Sequence, residues 1–153
     1  MILCLFYRRM VAALGFSTLL VVISGCGESG PKLVPVSGQV TIDGKPLTYG
    51  YIRFTPTKGR TSDAQISSDS TFTLRYSGER DGAVLGNHRV EVAANEVLGP
   101  LRIKWHAPKH YASIGTSQLT QEITGPTKDL KIDLTWGSQK GPFEDNYKAS
   151  DSF

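Results

Sequence analysis

Beyond residue 26 this chain has no cysteine; Cys4 and Cys26 are its two thiols. The body of the protein is therefore closed to a disulfide framework, a thiolate metal cluster or a cysteine nucleophile, and an ordinary packed core must hold it together. Charge is also scarce. The whole chain carries a formal +3, of which Arg8 and Arg9 supply two, so residues 26–153 stand at +1 and present no basic field to nucleic acid. The longest apolar run, Met10 to Gly25, has 16 residues. As a helix it would span about 24 Å, short of the roughly 30 Å of a bilayer core. No G-x-S-x-G elbow, H-E-x-x-H pair or phosphate loop occurs, and beyond Gly25 no stretch shows clear helical spacing.

What the N-terminus does contain is ordered. Arg8 and Arg9 precede the apolar run, the layout of a secretory signal over residues 1–25, and the two arginines alone do not make a twin-arginine signal. The arginines stay on the cytoplasmic side and the rest is delivered outside. Ile23-Ser24-Gly25-Cys26 resembles the bacterial lipobox: an aliphatic residue, two small residues that fit a peptidase cleft, then a thiol able to carry diacylglycerol as a thioether. That resemblance implies Ile23, Ser24 and Gly25 as peptidase recognition residues and Cys26 as the acylated first residue of the mature chain, with palmitate-like chains. Each buried methylene contributes about 0.8 kcal/mol, so two or three chains hold a protein at a membrane where one does not. Residues 26–35 read as the lipidated cysteine and a small, polar, proline-interrupted tether. Gly27 is not the aspartate that commonly retains lipoproteins in an inner membrane, which favours a lipid-anchored, extracytoplasmic address at the outer membrane.

From Val36 the period becomes two. Val36, Val40 and Ile42 alternate with Ser37, Gln39 and Thr41, and Asp43-Gly44 is a hairpin turn signal. Ile52 and Phe54, Phe72 to Tyr76, Val90 and Val92, Leu101 to Trp105, and Leu130 to Trp136 repeat the pattern, with weaker hints at Ala64–Ile66 and Leu119–Ile123. Seven or eight short strands, each with one apolar face, predict an all-β fold: a single antiparallel β-sandwich over residues 36–136. A parallel sheet would need helical crossovers. Residues 137–153 lose the period and read as a flexible tail.

The segments V-x-G-x-V-T-I-D-G-K-P-L from Val36 and I-x-F-T-P from Ile52 resemble the opening of small bacterial lipoproteins with a carboxypeptidase-regulatory-like, transthyretin-like β-sandwich. Later segments, Pro108 to Tyr111, Thr116 to Ile123 and Leu130 to Leu134, fit the same pattern, so the resemblance spans about residues 34–136. It departs at Asp69-Ser70-Thr71-Phe72, which lacks a glycine, and at His88, where the family has tyrosine. The resemblance implies a fold and a cell-surface setting and brings no catalytic residue, metal or cofactor. Transthyretin-like hydroxyisourate hydrolases end in Y-R-G-S, whereas this chain ends in SDSF.

The candidate site residues follow. His88 shares a face with Val90 and Val92, which predicts a ring at the core edge with a nitrogen on a backbone partner. His106 and His110 stand four apart in WHAPKHY, but Pro108 between them opposes a helix and no third ligand is near, so the segment reads as a surface loop rather than a metal site. Asp43, Asp63, Asp69 and Asp81 fall in turns, where aspartate bonds its own backbone. Two functions remain: a structural or protein-interaction module of the cell envelope, or a carbohydrate-binding module. Tyr51, Trp105 and Tyr111 are the possible ligand-facing aromatics; an exposed row of them favours glycans, and their burial favours structure.

Overall fold

In the computed structural model, which describes residues 30–146, the alternation read in VSGQVTI is present in space: Val36, Val40 and Ile42 are buried while Ser37, Gln39 and Thr41 are half-exposed. The signal segment, Ile23-Ser24-Gly25-Cys26 and residues 147–153 lie outside the described residues.

The strands in chain order are β1 (Leu33–Val34), β2 (Val36–Ile42), β3 (Lys45–Pro46), β4 (Tyr51–Pro56), β5 (Ser62–Gln65), β6 (Thr71–Thr73), β7 (Arg75–Tyr76) and β8 (Arg80–Asp81). They continue with β9 (Ala83–Val84), β10 (Gly86–Ala93), β11 (Asn95–Gly99), β12 (Arg102–Trp105), β13 (Leu119–Ile123), β14 (Thr127–Leu134) and β15 (Phe143–Asn146). One 3-10 turn, Lys109–Ala112, interrupts them. The fold is all-β, as expected from the period of two.

The larger sheet has the order β13-β10-β4-β5-β7-β8. Facing it, β2 is flanked by β14, β3 and β6. The buried faces of the two layers meet in one core that includes Val36, Val40, Ile52, Phe54, Phe72, Leu74, Val90 and Val92. Phe54 of β4 and Phe72 of β6 span it, with ring centroids 6.2 Å apart. A third, three-stranded sheet β11-β12-β15 continues from the end of β10, and β1 pairs with β9.

Three features differ from the sequence reading. First, β14 pairs with β2 in parallel, Lys131 to Leu134 against Gln39 to Ile42, within an otherwise antiparallel sandwich. The two strands are the first and last long ones of the sandwich, so the intervening strands of the other layer make the crossover that a helix usually makes. Second, Leu33 and Val34 belong to β1 rather than to the tether, since Leu33 pairs with Val84 and Val34 with Ala83. Third, Phe143–Asn146, inside the stretch read as a tail, is a strand on β12. Its apolar content is too small to show a period; pairing with Trp105 and Lys104 supplies the order instead.

Gly38 permits the parallel pair. It faces Leu130 where the register of β14 slips between Thr127 and Leu130, and a methyl group there would sit 2.0 Å from the Leu130 carbonyl oxygen. Gly38→Ala is therefore expected to cost about 1–3 kcal/mol, as overpacking does, and to loosen β14 first. Urea unfolding with amide exchange reads both effects; an unchanged midpoint would show that the pair is not held this tightly. Phe54→Ala is expected to cost about 3–5 kcal/mol in the same assay, because Phe54 is fully buried between the layers.

Candidate functional site at the far end of the sandwich

The strands give the sandwich two ends. At the near end the chain comes in through β1, Thr127 N–H donates to the Pro35 carbonyl at 2.9 Å, and Gly59 lies by Val84, whose Cγ1 would be 3.9 Å from an added methyl group. At the far end Asp43 N–H donates to Leu134 O, Ile66 N–H to Gly50 O, and His106 N–H to Ala94 O, at 3.0, 2.8 and 2.8 Å. The eight residues of β10 run from one end to the other, about 27 Å at strand rise.

The far end holds a cleft of about 310 Å3 with Trp136, Pro46 and Pro142 on its walls and Asp43, Lys45, Thr48 and His106 among its polar groups. Local chemistry sets each of them. Asp43 sits in the β2–β3 turn at φ 48°, a left-handed backbone that aspartate tolerates, and Gly44 follows at φ 73°. The Asp43 carboxylate accepts from Thr135 Oγ1 at 2.7 Å and Trp136 N–H at 3.4 Å, which ties the end of β14 to the turn. Trp136 packs against the core, with Phe143 edge-on at 5.9 Å. Gly141 lies against its indole so closely that a methyl group there would come within 2.1 Å of Cζ2. His106 is hydrogen-bonded through Nε2 to Glu96 Oε2 at 2.9 Å and lies against Tyr49, with centroids 5.0 Å apart.

The β11–β12 hairpin, which follows the far end of β10, leaves Val97 70% and Leu101 48% exposed. Lys109 is ion-paired with Asp145 of β15 and stands over the rings of Trp105 and Phe143 at 5.5 and 5.9 Å.

The aromatic trio expected from sequence separates. Tyr51 is 56% exposed, on the outer face of β4. Trp105 is buried, and so is Tyr111, whose hydroxyl accepts from Thr135 N–H at 3.3 Å. They form no exposed row. The aromatic that reaches the cleft is Trp136, which the period of two marks only as a strand residue; the signal available is its position at the end of the last alternating segment, five residues before the Gly141-Pro142 pair. His106 and His110 also separate: His110 is exposed against Tyr111 at 4.0 Å, while His106 takes Glu96. Among the described residues no three potential ligands gather into a metal-sized group. The Glu96 partner was hidden because β11 carries no alternation and was not read as a strand.

The remaining candidates are structural. Asp69 accepts from Ser67 Oγ, Thr71 Oγ1 and Thr71 N–H, which lowers its carboxyl to a pKa of about 2. Asp63 and Asp81 are in strands rather than turns: Asp81, in β8, pairs with Arg75 at 3.5 Å, and Asp63 lies in β5 opposite Arg53 and Arg75. His88 is 1% exposed, at the core edge beside Phe54. Its Nδ1–H donates to Gly86 O at 2.9 Å, and its buried Nε2 has no partner among the described residues. The ring is thus held as the neutral Nδ1–H tautomer, and burial lowers its pKa against the smaller opposing effect of the Gly86 carbonyl. No protein-family model, curated protein or solved structure gives a significant match to this chain.

The direction of the His88 shift gives a pH dependence. A folded imidazole that binds its proton less readily than the unfolded one leaves stability complete above the ordinary value of 6.5, and stability falls as the pH drops below it. Urea midpoints from pH 8 to pH 5 are expected to decline, and His88→Tyr is expected to flatten the decline. The depressed carboxyl of Asp69 acts only in a far more acidic window, so it does not blur the comparison. An equal slope in the variant would remove His88 as the cause.

Proposed function

We propose that this chain is a lipid-anchored β-sandwich of the bacterial cell envelope that holds one end toward its membrane and offers the other to an envelope partner. Its own chemistry is attachment and presentation, not catalysis. The observation that carries the reading is the separation of the two ends. The first paired residue, Leu33, stands seven positions after Cys26, so a fully extended tether reaches at most about 25 Å. The cleft and the exposed apolar hairpin are at the opposite end.

Physical chemistry supports each part. The signal layout and the Ile23-Ser24-Gly25-Cys26 motif agree in position, and an acylated cysteine with more than one chain gives durable anchoring. A sandwich with no cysteine in its body folds without oxidation, so it needs only delivery across the inner membrane. The resemblance to transthyretin-like lipoproteins accords with this setting, and Gly27 favours the outer membrane. Val97 and Leu101 leave apolar side chains on one hairpin open to a partner.

Two measurements test the reading. An alkynyl palmitate fed to cells is expected to label the chain, and Cys26→Ser is expected to abolish the label and release the protein from membranes. A photo-crosslinker at Val97 is expected to trap an envelope component that one at Lys58, near the tethered end, does not. An unlabelled chain that fractionates as before would overturn the anchor, and identical products at both positions would overturn the division of roles between the ends.

A further inference from the structure

The geometry points to the far-end cleft as a binding site for a pyranose-sized saccharide. This rests on the far end being the presented end, and it names what that end takes. The cleft of about 310 Å3 is at the small end of ligand clefts, the size for one or two sugar rings. Its walls supply what a pyranose needs on its apolar C–H face, the indole of Trp136 with Pro46 and Pro142 beside it. The indole is fixed before any ligand arrives, held against Gly141 and Phe143 and tied through its own backbone to Asp43. A preset platform loses little freedom on binding.

The polar groups decide the chemistry further. Each Asp43 oxygen accepts one bond, from Thr135 or from Trp136, and keeps acceptor capacity for a sugar hydroxyl, while the Nε2 of His106 is bonded to Glu96. The donors open to a ligand are the Lys45 ammonium and the Thr48 hydroxyl; both residues are exposed, and neither side chain has a hydrogen-bond or ion-pair partner among the described residues. A charged donor and a hydroxyl beside an apolar ring platform fit a ligand rich in oxygen acceptors around a flat apolar face. Sugar hydroxyls meet that need, and a sugar carboxylate meets it better at Lys45, because a charged hydrogen bond is stronger than a neutral one. A purely aromatic ligand would leave both groups without partners.

The test is a titration of the purified full chain in detergent, followed by tryptophan fluorescence and by amide spectra of β3 and β14. Cellobiose, digalacturonate and benzoate are the probes. Trp105 is buried, so a fluorescence change reports chiefly on Trp136. A saturable response to digalacturonate, or to digalacturonate and cellobiose, is expected, with benzoate silent. Lys45→Ala is expected to weaken the uronate by about tenfold and cellobiose less, the difference made by one charged contact. Trp136→Phe, checked for fold by circular dichroism, is expected to weaken both in the amide spectra. Silence to both sugars, a stronger response to benzoate, or binding indifferent to Lys45 and Trp136 would overturn the site. None of these results depends on Cys26, so a failed anchor and a failed saccharide site are told apart.

Discussion

Two sheets pressed together by alternating apolar side chains hold this domain, with no covalent link between them. Phe54, Ile52, Val90 and Val92 from one layer and Phe72, Leu74, Val36 and Val40 from the other are almost fully removed from water. Each such side chain contributes about 1.5–3 kcal/mol relative to exposure. Because the body has no cysteine, this contact decides whether the strands exist at all, and every other feature is positioned by it. His88 illustrates the constraint. Placed at the rim of that core beside Phe54, its ring is kept neutral, and the single carbonyl of Gly86 is its polar partner.

The topology then turns a packed core into a molecule with two different ends. The parallel pairing of β2 with β14 brings the close of the sandwich beside its beginning, and both strands finish at the far end. There the Asp43 carboxylate fastens Thr135 and Trp136, so the β2–β3 turn and the end of β14 form one wall. The strand β15, folded onto β12, brings Gly141 and Phe143 against Trp136. The near end has the opposite character: it is where β1 and β9 pair, next to the loop of Lys58 and Gly59. A rigid far end and an N-terminal entry at the near end are what the proposed presenting role requires.

The fold was legible in the sequence wherever burial imposes a period of two. Val36 to Ile42, Tyr51 to Thr55 and Val90 to Val92 each have one face in the core, and their residue types announce it. Legibility failed where pairing rather than burial makes the strand. Asn95–Gly99 and Phe143–Asn146 alternate poorly because their sheet lies beside the core and both faces meet partial solvent. The parallel register of β14 was equally hidden, since one strand's side chains do not encode its neighbour's direction. Away from the cleft, His88 was readable from the face it shares with Val90 and Val92. The cleft-lining aromatic was not, because Trp105 and Trp136 both continue apolar faces and only the Gly141 contact and the Asp43 bond separate the buried indole from the one in the cleft.

In the proposed orientation β1 faces the lipid and the β2–β3 turn points away from it. A fluorophore placed at Lys58→Cys or at Lys45→Cys in the full acylated chain, reconstituted in vesicles doped with a lipid-borne quencher, measures it directly. Stronger quenching is expected at position 58 than at position 45. Equal quenching, or the reverse order, would contradict it.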